Sequence, residues 1–161
     1  MGLDRKRLLG VIPGVAIAGM FAAVALGSPG TGLSSEVFVT SDFNKPVHLN
    51  SDRIKFQTKG PTDVRVQTLT FTPGAFTGWH HHPGFVLVAV KSGQVTVFDS
   101  ECRATAYGPG SPNGSAFVEY GDDPLEVRNT TAAPATVYAT YVAPNTDAGV
   151  FRLEDPARPC P

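Results

Sequence analysis

The chain has 161 residues, 42% of them hydrophobic, which is enough for one domain with a real core and too few for two comfortable ones. Its formal net charge is -1, from 13 basic and 14 acidic side chains, and no basic run follows the first ten residues. The electrostatic footprint of a nucleic-acid binder is therefore missing, and a small molecule is the expected partner.

At the N-terminus, Arg5-Lys6-Arg7 precedes Leu8 to Gly27, a stretch without a charge, and then the Ser/Gly/Pro/Thr run Ser28 to Ser35. That order is an export signal in outline. The apolar segment is just long enough to span a bilayer, but its Gly and Ala content and Pro13 weaken it as a permanent anchor. Ala23-Val24-Ala25 offers the small-x-small pattern of a signal peptidase site, with Ala25-Leu26-Gly27 as a second choice, so residues 1–27 read as a signal peptide cut near Ala25. An uncleaved membrane anchor is the alternative, and the only membrane contact expected. Residues 28–35 read as a linker and 36–161 as the folded domain, exported to the medium or the cell envelope. The two cysteines, Cys102 and Cys160, lie in no CxxC or Cys/His cluster, and a disulfide between them is the economical reading in an oxidising compartment. It would stabilise the fold by roughly 4 kcal/mol in the chain-entropy model.

Beyond the linker, Glu36 to Thr40 alternates like a short edge strand, and Ser51 to Thr58 holds a second around Ile54 and Phe56. Val64 to Phe71 alternates strongly in β-branched residues before Pro73-Gly74 breaks it. Further strands are predicted at Phe85 to Val90, Gln94 to Phe98, Arg103 to Tyr107, Ser115 to Tyr120, Leu125 to Asn129 and Ala135 to Val142. No sustained helical period follows Ser35, so the domain reads as an all-β sandwich or barrel.

The stretch Gly74 to Gly93, GAFTGWHHHPGFVLVAVKSG, gathers three of the four histidines beside the only tryptophan, Trp79. Strand alternation puts His80 and His82 on one face and His81 on the other, and two imidazoles on one face can share a metal ion. Gly74, five residues, His80, one residue, His82 and then Gly93 resembles the first motif of the cupin superfamily. Gly114 to Asn129, GSAFVEYGDDPLEVRN, resembles the second. The resemblance spans roughly Val64 to Ala143 and implies a jelly-roll β-barrel, commonly with one bound metal. It also implies a glutamate where this chain has Val86 and a last histidine where it has Leu125, so two of the four expected ligands are absent.

Glu119 is the nearest replacement carboxylate, although alternation can equally turn it to solvent, which is the simpler reading. With a third ligand, His80 and His82 would suit Fe, Mn, Zn, Ni or Cu. Without one, they remain as hydrogen-bonding groups in an apolar pocket. Trp79 is expected to pack under the histidine loop, His81 to lie at the surface or between sheets, and Tyr107, Tyr138 and Tyr141 to be core or rim residues. Three functions stay open: a small-molecule-binding barrel with a degenerate, weak metal site; a metal-dependent oxygenase or isomerase using His80 and His82; and a cell-envelope interaction module. A homodimer is compatible with each.

Overall fold

The β-branched run that begins near Asp63 becomes the spine of the molecule. In the computed structural model, which describes residues 29–146 and 148–160, it forms the longest strand, β4 (Thr62–Phe76). The export segment and the site near Ala25 lie outside the described residues. On one side β4 pairs from Thr62 to Phe71 with β11 (Ala135–Pro144), and on the other with β1 (Thr31–Phe43).

Two strand limits differ from expectation. The strand does not end at Pro73-Gly74, because Gly74 takes a positive φ of 77° and hands the backbone to a new partner: Gly74 N–H donates to the Asn129 carbonyl and Asn129 N–H to that of Ala75. At the other edge, β1 starts at Thr31, inside the stretch read as linker, since residues there take up the free edge of β4 as far as Phe76. β1 is exposed along nearly all of its thirteen residues. The segment around Ile54 is a hairpin of β2 (His48–Asn50) and β3 (Lys55–Gln57).

The remaining strands are β5 (His80–His81), β6 (Phe85–Ser92), β7 (Val95–Phe98), β8 (Ala104–Tyr107), β9 (Ala116–Glu119), β10 (Glu126–Arg128) and β12 (Leu153–Glu154). The main sheet runs β8-β7-β10-β4-β11-β6-β9, with β1 also on β4, and curls into a nearly closed all-β barrel. No helix occurs among the described residues.

Register explains how the barrel is filled. Residues directly opposite one another share a face, so one inward row is Gln67, Ala139, Val88 and Phe117, across β4, β11, β6 and β9. The next row toward one end is Arg65, Tyr141, Val86 and Glu119. The interior therefore grades from an apolar floor that includes Phe71, Val95 and Val137 to a polar end. Burying each such side chain is worth about 1.5–3 kcal/mol.

Candidate metal centre

The polar end is closed by the histidine segment, which is held on both sides by backbone. His80 and Leu125 exchange N–H···O bonds of 3.0 and 2.9 Å, and Thr77 N–H donates to the Val127 carbonyl. On the opposite flank β12 pairs with β5, Leu153 against His81 and Glu154 against His80. After His82, Gly84 lets the chain pass tightly over β11, since a Cβ there would lie 2.0 Å from the Val142 carbonyl oxygen. With its backbone fixed, strand alternation sets the side chains. His80 and His82 turn inward, 3% and 2% exposed, and His81 turns away to meet the Asp155 carboxylate at 2.7 Å. Trp79 is buried beneath the segment.

Backbone carbonyls fix the tautomers. His80 Nδ1–H donates to the Gly78 carbonyl (2.8 Å) and His82 Nδ1–H to that of Phe151 (2.6 Å), so in the neutral ring Nε2 is the lone-pair nitrogen. The two rings meet edge to face, with centroids 4.9 Å apart. Burial pushes the His80 imidazole down to a pKa of about 4, outweighing the attraction of Glu119, so it is neutral at neutral pH.

Glu119 faces them. Its carboxylate is 6% exposed, which corrects the simpler expectation that this strand glutamate points to solvent. The reason is the parity of β9: Phe117 and Glu119 are buried while Ala116 and Val118 are exposed. Glu119 Oε2 lies 2.9 Å from His82 Nε2, yet Nε2 makes no hydrogen bond of acceptable geometry. Distance alone would make this an ion pair. The tautomer argues otherwise: the neutral imidazole carries its proton on Nδ1, and in that form two buried acceptors confront each other with no hydrogen between them. One potential ligand atom from each of His80, His82 and Glu119 lies within 4.8 Å of the others.

Val86 and Leu125 are both buried. Val86 stands directly across the β6–β9 ladder from Glu119, and Leu125 directly opposite His80. Where the cupin motif implies a glutamate at Val86, the carboxylate here projects from the next strand. A cavity of about 30 Å³ adjoins the group, lined on its polar side by Thr77, His80, Glu119, Tyr141 and Arg152. The Tyr141 hydroxyl accepts a hydrogen bond from Gln67 Nε2 (2.8 Å), and burial pushes its pKa up. Arg152 donates to the Thr77 carbonyl and to both Glu154 oxygens. Neither Arg152 nor the Phe151 carbonyl was singled out in the sequence, where the C-terminal residues carry no motif. Tyr141 was noted there without a role.

No family model matches the chain, and no curated protein matches it. Solved structures similar to it include a cupin superfamily protein from Desulfitobacterium hafniense, 9% identical, with a TM-score of 0.48 over 73% of this chain and 84% of that one. A cupin domain from Bordetella pertussis is 17% identical, with a TM-score of 0.46 over 73% and 97%. An oxalate oxidase in complex with the substrate analogue glycolate is 19% identical, with a TM-score of 0.40; the match covers 48% of this chain and 40% of that longer one.

Proposed function

We propose that this domain is a metal-binding β-barrel of an exported protein, holding one first-row divalent cation through His80 Nε2, His82 Nε2 and the Glu119 carboxylate. The observation that carries this reading is the confrontation of His82 Nε2 with Glu119 Oε2, two buried acceptors at 2.9 Å that need a cation between them. Two imidazoles and one carboxylate leave coordination positions open, and a bound cation would supply Lewis acidity there or, if redox-active, a site for a small oxidant. The chain's own groups do the rest. Gly78 and Phe151 carbonyls keep both imidazoles in the ligating tautomer. Arg152 and the Tyr141 hydroxyl offer donors to an anionic or oxygen-bearing end of a ligand, and the cavity admits a group no larger than about one water. Cys102 and Cys160 at disulfide distance, Cα atoms 5.3 Å apart, support an oxidising compartment.

Metal analysis of protein purified without a His-tag, followed by titration with Mn, Fe(II), Ni, Cu and Zn salts, tests the reading. One metal per chain, lost in His82→Ala and Glu119→Gln, is expected. A folded wild-type chain that takes up none of these ions would refute it.

A metal-free small-molecule module is favoured by a different observation, an outer groove of about 660 Å³ between the β2–β3 hairpin and the sheet, walled by Phe43, Ile54, Phe56, Leu87 and Tyr120. Mass spectrometry of an organic extract of the native protein would reveal an apolar occupant. A clean extract would leave that groove without support.

A further inference from the structure

We infer that the segment Phe151–Cys160 is a positioning strap for the metal ligand His82, fastened by the Cys102–Cys160 pair, so that metal affinity is linked to the state of that disulfide. The inference rests on the metal reading above and concerns its regulation.

Four contacts tie the strap to the histidine segment and its flank. The Phe151 carbonyl accepts from His82 Nδ1, β12 pairs with β5, Asp155 N–H donates to the Trp79 carbonyl at 2.9 Å, and the Asp155 carboxylate meets His81. A fifth, from Arg152 Nη2 to the Thr77 carbonyl at 2.7 Å, brings a guanidinium to the cavity wall. At its far end Arg158 lies over the Trp79 ring and bonds the Ser100 carbonyl, and Cys160 meets Cys102 in the β7–β8 turn.

The strap's apolar anchorage is concentrated at one end, where Phe151 meets the Tyr141 ring edge to face and lies under the Arg65 guanidinium. Phe151 is its one buried residue; Leu153, Glu154 and residues 156–159 are exposed. A segment with so little apolar burial and so many solvent-facing backbone bonds opens easily on its own. The disulfide keeps its end within reach of the barrel, which raises the effective concentration of the Phe151 carbonyl beside His82. When the strap is lost, His82 loses the acceptor that selects its tautomer and ring orientation. Removal of such an outer partner typically weakens metal binding by about 10–100-fold.

The experiment compares the mature protein oxidised and after treatment with a water-soluble phosphine. The phosphine takes up an oxygen from water and delivers two electrons and two protons, giving the Cys102 and Cys160 thiols. Co(II) titration followed by visible absorption reports affinity and ligand field together, and the ligand field would not move if the strap were merely structural. The expected result is at least about 10-fold weaker Co(II) binding with a changed spectrum in the reduced protein and in Cys102→Ser/Cys160→Ser. Reoxidation of the wild type should restore both. Circular dichroism shows whether the reduced barrel stays folded. If it does not, Asp155→Ala in the oxidised chain becomes the deciding arm, with weaker binding and a shifted spectrum expected. Equal affinity and an identical spectrum, in the folded reduced protein or in Asp155→Ala, would overturn the strap and leave the metal reading intact. Absence of Co(II) binding in the oxidised wild type would sink the metal reading itself.

Discussion

Two buried glutamates on this barrel have opposite fates. Glu126 on β10 lies two residues from Arg128, on the same side of the strand, and the two form an ion pair, with the Arg128 guanidinium stacked 4.3 Å over the Phe98 ring. Glu119 on β9 is as deeply buried, but its contact among the described residues is His82 Nε2, on a ring whose Nδ1–H is already committed to the Phe151 carbonyl. The first arrangement is what a fold does with a buried charge when stability is all that matters. The second gives the carboxylate no arginine or lysine ion pair among the described residues, and groups kept so at a cost to stability belong where a ligand will come.

The strongest way to break the contrast is to put a second carboxylate beside Glu119. Val86→Glu faces it across the β6–β9 ladder, and two buried like charges should cost at least about 4 kcal/mol in urea unfolding of the metal-free protein. Adding Glu119→Val moves the carboxylate back to the strand where the cupin motif implies it, and should recover both stability and metal uptake. A Val86→Glu chain as stable as wild type would mean that the two positions do not share a face.

Acid attacks the same pocket. The folded His80 pKa is lowered from 6.5 to about 4, so below pH 6.5 the unfolded chain binds a proton that the native state refuses. Stability of the metal-free protein should therefore fall as pH drops from 6.5 toward 4, by on the order of 3 kcal/mol. His80→Gln should flatten that slope, and an unchanged slope would assign it to other groups.

On the other side of the comparison, Arg128→Ala strands Glu126 and should cost about 2–3 kcal/mol, below the fully buried value because Arg128 keeps some solvent contact. Metal uptake should not change. The smallest expected effect has the opposite sign. Glu119→Gln replaces one of two facing acceptors with an amide donor to His82 Nε2, and should stabilise the metal-free chain by about 1 kcal/mol while abolishing metal binding. If it destabilised the chain instead, Glu119 would be a structural residue like Glu126.

The histidine pair and the barrel were legible because both rest on strand parity, which the sequence displays openly between Val64 and Phe71 and again through His80, His81 and His82. The parity of β9 was not legible. Phe117 argues for one face while Ala116, Val118 and Tyr120 argue for the other, and only the register against Val86 settles that Glu119 points inward. Continuation of β4 past Gly74 was hidden for a related reason, since a proline-glycine pair ends most strands and survives here by exchanging partners with Asn129. The disulfide and the prolines of the tail 155–159 pointed to a segment pinned on the barrel, but not to what that segment does for His82. Its function is carried by a backbone carbonyl, which every residue possesses.

That carbonyl also sets a schedule. His82 and Phe151 are 69 residues apart, and a chain made from its N-terminus presents the histidine first. At about 5–20 residues per second, several seconds pass before the acceptor for Nδ1 exists at all. During that interval Glu119 is made and the barrel rows can begin to pair, but the imidazole is free to take either tautomer. The site is therefore completed only after Phe151 has been made, and a metal that arrives earlier meets ligands not yet aimed.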